Sequence, residues 1–176
     1  DKIKNVRAVN RNARIKAGIK NVVVGGYTNA GKSSLFNLLT RDNIYVQDKL
    51  FATLETTSRR MFLGENKYCI LTDTVGFISK LPHELVESFA STLEEIKDAD
   101  LILHVVDASD PNYKRNIDIT NEILDDIGAT KKRIVVLNKI DLVKKPFEIH
   151  KNEIPFSVKN KTNLEELKTM IKNNLF

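Results

Sequence analysis

The stretch Gly26-Tyr27-Thr28-Asn29-Ala30-Gly31-Lys32-Ser33 constrains this chain more than any other. It fits the pattern G-x-x-x-x-G-K-[ST], a glycine-containing loop whose backbone amides wrap phosphate oxygens. The apolar run Val22-Val23-Val24 precedes it, and the helical run Leu35-Phe36-Asn37-Leu38-Leu39 follows. Such a loop needs a strand to deliver it to a sheet edge. It also needs a helix whose first turn offers unpaired N–H groups and the positive end of its dipole. Both flanks are present, which separates the stretch from a chance glycine turn.

The rest of the chain supplies the sheet. Asn21 to Gly25 reads as a strand apolar on both faces, as a helix-covered parallel strand is. After the first helix, which runs to about Thr40, residues 41–58 are polar and aperiodic and hold Thr53, Thr56 and Thr57. A loop of that length is usually functional. Arg59 to Leu63 and Lys67 to Thr72, joined by Gly64-Glu65-Asn66, carry the signal of an antiparallel hairpin. Leu85, Phe89, Leu93 and Ile96 predict a helix over 83–97, and Leu101 to Val106 a buried strand. Asp110-Pro111 has the form of an N-cap with proline in the first helical position, opening a helix with Ile119, Ile123 and Ile127 on one face and Gly128 past its end. Ile134 to Leu137 is the next strand, and a short one lies near Ile154-Pro155-Phe156. The residues between them contain Pro146 and too little periodicity to predict a crossover helix. Thr162-Asn163-Leu164-Glu165 matches a capping box before a helix that buries Leu164, Leu167, Ile171 and Leu175.

Strands alternating with helices predict an α/β fold of the P-loop NTPase type: a mostly parallel sheet, one antiparallel edge hairpin and helices on both faces. Ligands of such sheets sit at the carboxyl ends of the strands. Gly26 to Ser33, Asp73 to Gly76, Asn138 to Asp141 and Ser157 to Lys159 each follow a predicted strand, so four distant segments converge on one rim.

Each segment has its own chemistry. The loop amides from Gly26 to Ser34 approach phosphates, Lys32 neutralises the β and γ oxygens, and the Ser33 hydroxyl suits Mg²⁺. Asp73 ends a strand facing the loop, where a carboxylate holds Mg²⁺ directly or through water, and the Gly76 amide can reach a γ-phosphate. In Asn138-Lys139-Ile140-Asp141, the Asp141 carboxylate can accept from guanine N1–H and the 2-amino group, which adenine does not offer. Asn138 can bond the opposite edge of the base, and the Lys139 stem can cover it. An unpaired carboxylate would penalise adenine, which disfavours an ATP-using enzyme. Ser157-Val158-Lys159 is the matching support for the base.

These residues form a GTPase signature, and the longer strings resemble one family. Gly26 to Asn37, Leu50-Phe51-Ala52-Thr53-Leu54, Asp73-Thr74-Val75-Gly76-Phe77-Ile78 with Leu81-Pro82-His83, and His104-Val105-Val106-Asp107 closely resemble the HflX GTPases over most of residues 20–160. The resemblance implies a Ras-like GTPase domain in a cytoplasmic protein that associates with the large ribosomal subunit. In that family an N-terminal domain and helical linker precede the GTPase domain and contact the ribosome. Residues 1–18 match only the end of such a linker, and 19–176 the GTPase domain. The resemblance also places Thr53, within the segment Phe51 to Glu55, as the threonine that closes on Mg²⁺ and γ-phosphate. Thr53 and Gly76 thus join Lys32 as the catalytic candidates, and Ser33, Thr53 and Asp73 are the expected metal ligands.

Two positions modify this expectation. Phe77 stands where Ras-like enzymes have a glutamine that orients water, and a phenyl ring cannot do so. Unaided hydrolysis on the order of 10⁻³ s⁻¹ or slower is expected, by analogy with unassisted relatives. A nucleotide-dependent binding module with negligible hydrolysis is the alternative. Asn29 matches the asparagine with which TrmE-type GTPases hold a potassium ion in place of an arginine finger; equally, asparagine tolerates positive φ in a tight loop.

Composition sets the remaining bounds. At 176 residues and 41% hydrophobic, one well-filled core is expected. No apolar run approaches the roughly 18 residues of a membrane span, and there is no basic-then-apolar leader. Cys69 is the only cysteine and reads as a buried thiol in a reducing cytoplasm. The three histidines lack metal-ligand spacing. Among the first twenty residues, seven Lys and Arg stand against one Asp, so a net +6 sits there and the remainder is close to neutral. That segment suits RNA contact, or simply a solvated helix. A monomer is expected.

Overall fold

The computed structural model describes residues 17–40, 57–74, 93–94, 96–146 and 148–176. Strand β1 (Lys20–Gly25) lies inside a six-stranded sheet, with β2 (Thr57–Gly64), β3 (Lys67–Asp73), β4 (Leu101–Asp107), β5 (Lys132–Asn138) and β6 (Glu153–Pro155) in the order β2-β3-β1-β4-β5-β6. Every pairing is parallel except β2 with β3. Among the described residues the helices are α1 (Lys32–Thr40), α2 (Tyr113–Asp126) and α3 (Leu164–Leu175).

The apolar character of β1 follows from having helices on both sides. Val22 and Val24 face a cluster with Leu35, Phe36 and Leu39 of α1 and Leu167 and Ile171 of α3. Val23 points the other way, to Ile96, Ile102 and, from α2, Leu124. Fully burying side chains of this size stabilises the fold by about 1.5–3 kcal/mol each. Emptying the Phe36 site by Phe36→Ala would cost about 3–5 kcal/mol.

The edge hairpin obeys its turn chemistry. Gly64, Glu65 and Asn66 all have positive φ, the backbone that lets a short turn follow the twist of its strands. Met61, Leu63, Cys69 and Leu71 pack inward, whereas the Arg60 guanidinium lies 4.5 Å from the Tyr68 ring centroid on the other face. The Cys69 thiol is fully buried and its pKa is pushed up to about 12 by that burial, as expected of an inert thiol. No helix among the described residues is long and apolar enough to cross a membrane.

Three details differ from the sequence reading. Helix α2 begins at Tyr113, because Asp110 is spent on a preceding turn: its carboxylate accepts from the Asn112 N–H and the Asn116 amide. The face of α2 that is buried is centred on Thr120 and Leu124, with Ile123 and Ile127 beside it and Ile119 only half-buried. The capping box before α3 does not form. Asn163 occupies the cap with φ 60° and donates its amide to the Pro155 carbonyl, while the Thr162 N–H bonds the Ser157 carbonyl. The segment after β5 makes only a 3₁₀ turn, Ile140–Leu142. Most of the helix predicted over 83–97, and the basic segment before residue 17, lie outside the described residues.

Candidate nucleotide-binding site

Strand register brings the four segments to one edge. Val24 pairs with Asp73, Gly25 with His104, and Asp107 with Asn138, so the carboxyl ends of β3, β1, β4 and β5 lie side by side. The loop between β1 and α1 rests directly on β4. A Cβ on Gly26 would overlap the backbone oxygen of Val105, and one on Gly31 would overlap the Asn138 side-chain nitrogen. Both glycines also have positive φ, so both positions require glycine. Asn29, exposed with φ 62°, adopts the left-handed backbone that asparagine tolerates.

The phosphate end is built on the first turn of α1. Lys32 is buried and donates to the Tyr27 carbonyl at 2.7 Å. Burial pushes its pKa down to about 8, with the Asp73 carboxylate pulling the other way. A phosphate beside it would restore the charge. Ser33 Oγ donates to Asp73 Oδ2 at 2.6 Å, and Ser34 follows in the same turn. Asp73 is buried at the end of β3; its Oδ1 accepts from the Thr74 N–H, and the Thr74 hydroxyl donates to the Val24 carbonyl. One hydroxyl beside one carboxylate matches the oxygen-donor chemistry of Mg²⁺, which keeps several waters. No group of three or more His, Cys, Asp and Glu side chains that could hold a metal is present among the described residues.

The base end is tied to the phosphate loop. Asn138 is buried, its amide nitrogen donating to the Ala30 carbonyl at 3.0 Å and its oxygen accepting from the Val158 N–H at 3.2 Å. The sequence reading assigned Asn138 to the base edge; these bonds take one of its two amide hydrogens and one oxygen lone pair, join three segments and leave that role open to it. Lys139, at φ 63°, reaches back with its ammonium to the Asn29 carbonyl at 2.9 Å and to Asp107 Oδ2 at 2.6 Å. Burial works against the Asp107 carboxylate, but hydrogen bonds from Lys139 and Ser109 outweigh it and hold its pKa below the usual value. Ile140 lends its N–H to the Phe156 carbonyl. Asp141 is exposed on the 3₁₀ turn, with Oδ1 accepting from the Ser157 hydroxyl at 2.6 Å. The Ser157 Oγ also accepts from the Asn160 N–H, which closes the loop carrying Lys159.

Gly26, Tyr27, Thr28, Asn29, Ala30, Gly31, Lys32, Ser33, Ser34, Asp73, Thr74, Asn138, Lys139, Ile140, Asp141, Ser157, Val158 and Lys159 are therefore gathered on one rim. Phe51, Ala52, Thr53, Leu54, Glu55, Val75 and Gly76 lie outside the described residues. Asp107 is the residue that the motif reading did not assign. Its signal was present: it ends β4 as Asp73 ends β3 and Asn138 ends β5.

Residues 21–139 match the family model described as 50S ribosome-binding GTPase. A protein named GTPase HflX from Caldanaerobacter subterraneus subsp. tengcongensis is 48% identical over 177 residues, covering 100% of this chain and 41% of that protein. The one from Escherichia coli is 44% identical over 144 residues, covering 81% and 34%. The chain thus spans well under half the length of these relatives, and the expected HflX resemblance is borne out over the part present. Among solved structures, a GTP-binding protein from Sulfolobus solfataricus in complex with GDP shares 30% identity at a TM-score of 0.68, over 99% of this chain and 58% of that one. Aquifex aeolicus Era bound to GDP.AlF4- aligns at a TM-score of 0.75 and 24% identity, over 90% and 57%, which speaks to the fold. A phosphate loop fixed to its base-end segment, on a sheet of this order and with this match, places the chain in the family of 50S ribosome-binding GTPases.

Proposed function

We propose that the chain binds guanine nucleotide with Mg²⁺ and hydrolyses GTP to GDP and phosphate, slowly when alone, as a switch serving the large ribosomal subunit. The observation that carries this reading is the Asn138 tie, which holds the phosphate loop and the Asp141 segment in one frame. The name GTPase, carried by the relatives, supports the activity.

In this reading Asp141, steadied by Ser157, accepts from the guanine N1–H and 2-amino group. Lys32 and the amides of Gly26 to Ser34 neutralise the phosphates, while Ser33, Asp73 and Thr53 hold Mg²⁺ and Gly76 bonds the γ-phosphate. Hydrolysis is attack of water on that phosphate, helped by positioning and charge neutralisation rather than covalent chemistry. Phe77 offers no hydrogen bond to the attacking water, which motivates a slow intrinsic rate and completion of the site by a partner. The basic first twenty residues suit contact with ribosomal RNA, and the setting is cytoplasmic. Potassium at Asn29 is a further element, tested by comparing turnover in KCl and NaCl; equal rates remove it.

Single-turnover GTP hydrolysis, measured with and without large ribosomal subunits, tests the whole. A rate on the order of 10⁻³ s⁻¹ or less alone, rising with subunits, is the expected result. A fast rate alone, or no response to subunits, overturns the switch reading. Loss of GDP binding in Asp141→Ala without a gain in ATP binding tests the base assignment.

A further inference from the structure

Asp107 lies outside the segments assigned to the nucleotide, yet it holds a side chain that belongs to one of them. Its Oδ2 receives the Lys139 ammonium at 2.6 Å, and the same ammonium donates to the Asn29 carbonyl at 2.9 Å. Its other oxygen, Oδ1, takes both the N–H and the hydroxyl of Ser109. The Ala108 N–H, next along, bonds the Asn138 carbonyl. A lysine on a four-carbon stem has many rotamers, and Lys139 leaves β5 through a left-handed backbone. A partly covered chain of that kind settles in one path only when its charge is anchored.

We infer that Asp107 is a positioning residue for guanine-nucleotide retention: its carboxylate fixes the Lys139 ammonium, which lays the stem along the base and pins the phosphate loop at Asn29. This rests on the guanine-nucleotide reading above and adds an anchor outside the loops assigned to the nucleotide. The anchor is charge-assisted and half-buried, with both partners about three-quarters covered.

Asp107→Asn separates this role from a structural one. Two Ser109 donors converge on one oxygen, so the asparagine oxygen stays with Ser109 and its NH₂ faces the Lys139 ammonium, leaving two donors opposed. Release of a fluorescent GDP analogue from the 176-residue chain should then accelerate roughly ten- to a hundredfold, the weight of one charge-assisted hydrogen bond. The melting temperature of the nucleotide-free protein should change little. In a Lys139→Met background, which keeps an unbranched stem, Asp107→Asn should have no further effect on release. Unchanged release in the single variant, an equal acceleration in the Lys139→Met background, or a fall in nucleotide-free melting that accounts for the loss would each overturn the inference. Failure of the unaltered chain to bind the analogue would instead overturn the nucleotide reading itself.

Discussion

The two ends of the nucleotide site are built on opposite plans. At the base end, the polar groups of Asn138 are committed to the Ala30 carbonyl and the Val158 N–H, both parts of the protein. At the phosphate end, Ser33 and Asp73 bond one another and Lys32 leans on the Tyr27 carbonyl, interactions that a metal ion and phosphates would replace. A group whose partner belongs to the fold stabilises it; a group whose best partner is a ligand burdens the fold until the ligand arrives. At the base end Asn138 is therefore scaffold, and the phosphate end is held in reserve.

The largest expected effect tests the scaffold. Asn138→Ala strands a buried carbonyl and a half-buried N–H, and should destabilise the nucleotide-free protein by about 2–4 kcal/mol, read by urea unfolding. A change under about 1 kcal/mol would mean that water satisfies both groups, and that the tie is not structural.

At the other end the sign reverses. With the Lys32 pKa lowered from 10.5 to about 8, the folded state carries a cost for the buried charge, present in full below pH 8. Lys32→Met should therefore stabilise the nucleotide-free protein by roughly 1–3 kcal/mol at pH 7 while abolishing phosphate binding. The advantage should fade as pH rises from about 8 through 10.5, because the wild-type fold then binds fewer protons than its unfolded chain and gains stability. A variant less stable than wild type at pH 7 would break the contrast between the ends.

The smallest effect sharpens it. Ser33→Ala removes one hydrogen bond to the Asp73 carboxylate, whose other oxygen keeps the Thr74 N–H, so nucleotide-free stability should move by about 1 kcal/mol. The dependence of GDP release on Mg²⁺ should nevertheless be lost. Retained Mg²⁺ dependence would remove Ser33 from the metal site.

The division between legible and illegible features follows the same physics. Strands β1, β4 and β5 could be read because burial on both faces leaves continuous apolar runs. The phosphate loop could be read because Gly26 and Gly31 sit where a Cβ collides with neighbouring strands. Where side chains choose among partners, local pattern failed. The proposed capping box lost Asn163 to the Pro155 carbonyl and Thr162 to Ser157, and the Asp110 cap lost to a turn that bonds Asn112 and Asn116. Asn138 was recognised, but its bond to Ala30 depends on how β5 and β1 are placed across β4, which no window of sequence contains. The same holds for Asp107 and Lys139.

The Asn138 tie also bears on how the protein folds. Its two residues, Ala30 and Asn138, are 108 positions apart, so a chain growing from its N-terminus holds the phosphate loop long before the residue that clamps it. Nor would arrival of β5 alone suffice. A slip of one residue in its pairing with β4 would turn the Asn138 side chain to the opposite face and release the loop. Fastening of the phosphate loop through Asn138 thus waits until β5 has paired with β4 in the correct register.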